Sequence, residues 1–181
     1  LHLFYTIWSQ AAASQFNLTS DYVFKTYLKS LAEKLGKKDI VEEINLHNRL
    51  RIGAIAPDIS WKKGSSIQTL KALEGSKNYV LVFWSSTCSH CLKELPALHK
   101  ELKKHPGVTV IAVGMEEDTS SWNIEKAKFP TFNHAIALGK WESAYAKLYA
   151  ISETPTYFIL DSTKRFISKP EDDKKVIDYL S

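Results

Sequence analysis

In the stretch Tyr79-Val80-Leu81-Val82-Phe83-Trp84-Ser85-Ser86-Thr87-Cys88-Ser89-His90-Cys91, an unbroken apolar run gives way to a polar turn and then to two cysteines three positions apart. Tyr79 to Trp84 has the β-branched and aromatic make-up of a strand buried on both faces. From about Ser89 to Lys104 the apolar residues recur at helical spacing, so a long helix follows. Cys88 therefore falls where a strand turns into a helix. Unpaired backbone N–H groups and the positive end of the helix dipole favour an anion at that point. A thiolate is the reactive form of cysteine, and such surroundings pull its pKa from ~8.5 toward neutrality or below. Cys91 lies one helical turn deeper on the same face, placed to attack a mixed disulfide formed on Cys88. This arrangement makes Cys88 the attacking residue and Cys91 the resolving one.

Outward from this junction, helix and strand patterns alternate. Strands are expected at Val108–Val113, Thr131–Ala135, Thr156–Leu160 and Lys164–Ile167. Helices are expected at Ser121–Phe129, around Trp141–Tyr149 and at Glu171–Leu180. The alternation predicts an α/β layered fold with helices on both faces of one sheet. Toward the N-terminus, Gly53, Pro57 and Gly64 mark a stretch read as loop, and before it the pattern is helical throughout. Phe4, Ile7, Trp8 and Ala11 share one face of a first helix over residues 1–16. Ser20-Asp21 offers an N-cap to a second, with Gly36 as its stop, and Asp39 to Leu50 forms a third. The division is thus a helical segment, residues 1–50, and an α/β domain, residues 51–181. The helical segment carries no recognisable chemistry, and its apolar faces need covering by the domain or by a partner.

Composition narrows the classes. The 181 residues are 44% hydrophobic and 24% charged with a net charge of +4, which indicates neither disorder nor a membrane protein. Basic residues are offset by neighbouring acids, as in Lys100-Glu101-Leu102-Lys103-Lys104, so a nucleic-acid groove is not expected. The chain has two cysteines in all, too close in sequence to staple distant segments. Their pairing is chemical, a shared metal site, or two inert buried thiols. A zinc site wants about four ligands, and no second C-x-x-C exists, although His90, His99 and His105 lie nearby. Covalent haem attachment needs His after the second Cys, where Leu92 stands. No apolar stretch is long enough to span a bilayer. Without an initiator Met, the chain reads as a processed or excised piece.

The segment Phe83 to Cys91 resembles the reactive strand–turn–helix of the thioredoxin superfamily. Pro96, five residues after Cys91, matches that family's helix-kinking proline. Glu153-Thr154-Pro155-Thr156 is similar to the segment that carries its cis-proline beside the disulfide. Ile52-Gly53-Ala54-Ile55-Ala56-Pro57-Asp58 and Glu94, three residues after Cys91, resemble the TlpA/ResA-like, extracytoplasmic branch of AhpC/TSA type. The resemblance covers about residues 52–181. It implies a thioredoxin-like fold with a central mixed sheet and helices on both faces. It also implies Cys88, Cys91 and Glu94 as the catalytic set, with Trp84, His90, Thr154 and Pro155 on the substrate side. No cofactor beyond a Cys88–Cys91 redox disulfide is implied, and no metal. The implied partners are cysteine-containing proteins and a membrane thiol–disulfide electron donor, at an extracytoplasmic address.

Two departures bear on mechanism. Where cytoplasmic thioredoxins carry a buried Asp six residues before the first cysteine, this chain has Val82, which cannot exchange protons. Glu94 is then the candidate proton acceptor for Cys91. Ser89-His90 replaces the usual Gly-Pro, and a His before the second cysteine resembles strongly oxidising periplasmic members. A ring that stabilised the Cys88 thiolate would raise the reduction potential above that of thioredoxin. The TlpA/ResA likeness favours a reductase in an oxidising compartment, and His90 pulls toward an oxidase or isomerase. A peroxide reductase fits less well, because Leu81 stands where peroxiredoxins place a proline. The non-catalytic alternative is a binding module docking partners through residues 1–50 and the groove beside Pro155.

Overall fold

A computed structural model describes residues 1–181. The chain divides into two compact units, Leu1–Ile52 and Gly53–Ser181.

The first unit is helical: α1 (His2–Ala13), α2 (Asn17–Val23), a π-helical turn (Phe24–Leu28), α3 (Lys29–Lys34) and α4 (Lys38–Leu50). Trp8, Ala12, Val23, Phe24, Leu28 and Ile44 form its apolar centre, with Leu28 and Ile44 fully buried. Burying a side chain of that size contributes about 1.5–3 kcal/mol. Arg51 grips both carboxylate oxygens of Asp21 at 2.8 and 2.9 Å, tying the end of α4 to α2. That guanidinium holds the Asp21 carboxyl below the usual carboxylate range. The expected N-cap at Ser20 is not one. The helix starts at Asn17, and Ser20 is buried within it, its hydroxyl donating to the Asn17 carbonyl.

The second unit holds two sheets. Strands β1 (Ser60–Lys63) and β2 (Ser66–Thr69) form an antiparallel hairpin in the stretch expected to be loop. Its two-residue turn, Gly64-Ser65, begins with a glycine at φ +62°. The main sheet is mixed. Its order is β5 (Asn133–Leu138), β4 (Val108–Glu116), β3 (Asn78–Trp84), β6 (Thr156–Asp161) and β7 (Phe166–Ser168). Strand β3 runs parallel to β4 and antiparallel to β6. As the central strand it is buried on both faces, which explains its lack of alternation.

Helices α5 (Ser89–Leu102), α6 (Ser120–Lys126), α7 (Ala144–Leu148) and α8 (Asp173–Leu180) complete the unit. Val80, Val82 and Trp84 of β3 pack in one cluster with Cys91, Leu95, Leu98 and Leu102 of α5 and Val176 of α8. On the opposite face, Phe83 meets Tyr149 and Phe158, and both of these meet Phe166. Sheet and helices thus match the expected α/β layering, with shifts in detail. Strand β5 begins two residues later than expected because Phe132 closes a turn onto the Phe129 carbonyl. The helix expected around Trp141–Tyr149 is broken at Ser143, whose extended backbone and hydroxyl cap α7 through the Ala146 N–H.

Candidate active site

The site begins at the end of β3. After Trp84 the chain makes a turn in which the Cys88 N–H donates to the Ser85 carbonyl at 3.1 Å. Cys88, with extended backbone at φ −88° and ψ 116°, is then the N-cap of α5. Its sulfur accepts the orphan N–H of Cys91 at 3.2 Å, taking the place of a capping oxygen. The cysteine thus occupies a helix cap because a strand end delivers it there, and the cap geometry directs backbone dipoles at its sulfur.

The two thiols are free, and their sulfurs lie 2.6 Å apart. Cys88 is half-buried and Cys91 fully buried. Burial works to raise the Cys88 pKa, but hydrogen bonds from the Cys91 thiol, Thr154 and the backbone N–H groups of Cys91 and His90 outweigh it. The net value lies below that of an ordinary cysteine. For Cys91 burial dominates, and with the neighbouring Cys88 it pushes the thiol up to about 12. One thiol is poised to ionise and the other to stay protonated.

The peptide bond between Thr154 and Pro155 is cis, and the Thr154 carbonyl lies 3.4 Å from the Cys88 sulfur. The structure therefore brings Cys88, Cys91, Thr154 and Pro155 together. Pro96 sits inside α5. Glu94, half-buried, accepts a 2.8 Å hydrogen bond from the Tyr157 hydroxyl. His90 is exposed. Its backbone N–H faces the Cys88 sulfur, while the residue lines a cavity of about 430 Å³ with Lys93, Glu94 and Asp173. Trp84 is a correction. Expected on the substrate side, it is fully buried and packs edge-on against Phe129, so it cannot touch a substrate. The alternation of β3 turns it inward, onto the face that α5 covers. His99 is also interior, wedged against Phe129 and Phe132, and burial lowers its pKa.

Two residues escaped the sequence reading. Glu116, almost fully buried at the end of β4, accepts the Ser86 N–H at 2.6 Å and the Ser86 hydroxyl at 3.0 Å, while Ser86 also meets Ser121 of α6. The register explains the meeting: Trp84 pairs with Gly114, so two residues on, Ser86 and Glu116 are level. Glu116 thus braces the turn that presents Cys88. The other is Tyr157, two residues beyond Pro155. A larger cavity of about 720 Å³, lined by Trp61, Trp122, Phe132 and Lys126 among others, contains neither cysteine in its walls.

Residues 52–168 match the sequence profile of the AhpC/TSA family. The chain belongs to the AhpC/TSA family. Within the thioredoxin superfamily it is a TlpA/ResA-like member, a thioredoxin-like thiol–disulfide oxidoreductase by family. It is 30% identical over 129 residues to the thiol-disulfide oxidoreductase ResA of Bacillus cereus (strain ZK / E33L), covering 67% of this chain and 70% of that protein. The ResA of Bacillus anthracis is 29% identical over the same length and shares. Among solved structures, the thioredoxin domain of a thiol-disulfide oxidoreductase from Bacteroides vulgatus superposes with a TM-score of 0.62 at 22% identity, covering 72% of this chain and 96% of that one. A domain of a possible thiol-disulfide isomerase from Cytophaga hutchinsonii gives 0.61 at 25% identity, covering 72% and 91%. The family match falls on the second unit but for Ile52, the unit that carries both cysteines.

Proposed function

We propose that the chain exchanges its Cys88/Cys91 dithiol–disulfide with cysteine pairs of other proteins, working as a reductase in an oxidising, extracytoplasmic compartment. The observation that carries this reading is the asymmetry of the pair. One sulfur sits at a helix cap under several hydrogen bonds and against the Thr154 carbonyl, and the other is buried beneath it.

In the forward direction the Cys88 thiolate attacks a substrate disulfide and forms a mixed disulfide, expelling one substrate sulfur. Thr154 and Pro155 flank the attacked bond and hold the substrate backbone. Cys91 then gives up its proton, with Glu94 as acceptor, and attacks the Cys88 sulfur. The second substrate sulfur leaves, and the Cys88–Cys91 disulfide remains for a membrane thiol–disulfide donor to reduce. No helix is long and apolar enough to cross a membrane.

The His90 ring is not among the groups hydrogen-bonded to the Cys88 sulfur; its backbone N–H is. The ring therefore gives little support to an oxidase, and the reductant direction is preferred. A potential well above that of thioredoxin would reverse this preference. Insulin reduction tests the exchange itself. The wild-type chain should accelerate precipitation of insulin by dithiothreitol, and Cys88→Ala should abolish the acceleration. Undiminished activity in the Cys88→Ala protein would overturn the reading.

A further inference from the structure

Tyr157 is a buried phenol in an apolar cluster, 1% exposed and packed in the same group of side chains as Cys91. In the sheet it stands directly opposite Val82, fully buried on the neighbouring strand and unable to exchange a proton. A hydroxyl buried in such a place requires a partner. Here the partner is the Glu94 carboxylate at 2.8 Å, on the helix face that Glu94 shares with Cys91, three residues before it. Glu94 also lines the cavity that opens past His90 and Lys93. The Tyr157–Glu94 pair thus links the interior around the resolving thiol to this cavity, and the phenol anchors its inner end.

We propose that Tyr157 is the positioning residue of the resolving half-reaction: its hydroxyl fixes the Glu94 carboxylate where it can take the Cys91 proton and pass it to the cavity. This rests on the exchange reading above, with Cys91 as resolving thiol. The proton leaves Cys91 Sγ for a Glu94 oxygen. The resulting thiolate attacks Cys88 Sγ, the Cys88–substrate S–S bond breaks, and the substrate sulfur leaves as a thiolate that protonates from solvent. The cysteine pair is oxidised by two electrons and the substrate reduced by two. Tyr157 is not itself the base. Burial, then the hydrogen bond to Glu94 and the charges of Glu94, Asp173 and Cys91, push the phenol far above its ordinary pKa, so it stays a donor. The titratable groups facing it are Glu94 and Cys91 from α5 and Asp173 from α8, with His90, Lys93 and Lys174 on the cavity wall.

Tyr157→Phe removes the hydroxyl and its bond to Glu94 while keeping the buried ring. Stopped-flow reduction of dithiobis(nitrobenzoate) by the reduced full chain separates the steps. The first coloured thiolate is released by Cys88 attack, and the second by Cys91 resolution. In Tyr157→Phe the first phase stays within about twofold, while the second slows about tenfold or more near neutral pH. Its rise with pH moves to more alkaline values, because the Cys91 proton must then leave directly to solvent base. Glu94→Gln gives the same change, and the double variant adds little, as expected for residues acting as one unit. An unaltered second phase and pH profile in Tyr157→Phe, or an equal slowing of both phases, overturns the proposal while leaving exchange intact. A wild-type chain that releases a single thiolate overturns the resolving role of Cys91 and this proposal with it.

Discussion

In residues 53–181 the buried polar side chains Ser85, Ser86 and Glu116 gather at the adjacent ends of β3 and β4, whereas in residues 1–52 the buried side chains other than Ser20 are apolar. The first arrangement fixes a turn and delivers one sulfur to a helix cap. The second closes helices around Trp8, Phe24, Leu28 and Ile44, with a single two-pronged ion pair at the margin. The difference teaches where this chain places its chemistry. Ser86 and Glu116 are carried inward where β3 and β4 end, and there they satisfy each other through the Ser86 N–H and hydroxyl. The helical unit, by contrast, is stabilised by apolar packing and leaves Leu3, Phe16, Leu18 and Leu35 exposed. Substitutions in the two regions should therefore separate reactivity from stability.

The largest effect expected lies within the site. Hydrogen bonds hold the Cys88 pKa below that of an ordinary cysteine, and burial pushes that of Cys91 up to about 12. Near neutral pH the thiolate therefore forms at Cys88 and not at Cys91. Iodoacetamide followed by peptide mass spectrometry should label Cys88 with a pH midpoint below that of a free cysteine. Cys91 should remain unlabelled until strongly alkaline pH. Equal labelling of the two at neutral pH would remove the asymmetry on which the functional reading stands. Next comes the helical unit. Leu28→Ala deletes a fully buried side chain and should cost about 2–5 kcal/mol in denaturant unfolding. Exchange kinetics per folded molecule should stay the same, and a parallel loss of rate would break the contrast between the regions.

A smaller change sharpens it from the other side. A Cβ at Gly114 would meet the Trp122 ring at 2.5 Å, and Gly114 lies beside Trp84, two residues before the Glu116 brace. Gly114→Ala should cost about 1–3 kcal/mol and, unlike Leu28→Ala, also alter the Cys88 labelling rate.

Much of this was legible before any coordinates. Tyr79–Trp84 announces a central strand because it is apolar on both faces, and the spacing of Cys91, Leu95, Leu98 and Leu102 announces the helix that covers it. The cysteines came from the strand-to-helix junction and Thr154 and Pro155 from the family resemblance, and the fold brings them together. The hairpin at Ser60–Thr69 was missed because only Trp61 among its strand residues before the turn is buried, which leaves no clear alternation. Gly64-Ser65 was the signal that could have found it. The substrate-side place expected for Trp84 came from the resemblance, and its burial follows from the facing of β3, which a turn-adjacent aromatic does not disclose in sequence. Glu116 and Tyr157 were invisible for a shared reason. Each acts on a neighbour far away in sequence: strand register levels Glu116 with Ser86, and the packing of α5 on the sheet brings Glu94 to Tyr157.

Capture of the mixed disulfide tests the central claim most directly. Cys91→Ala protein, reduced and then mixed with a disulfide-bonded peptide, should accumulate a covalent adduct that maps to Cys88 and is released by dithiothreitol. Failure to form that adduct, while the same peptide is still reduced at the wild-type rate, would contradict exchange through Cys88.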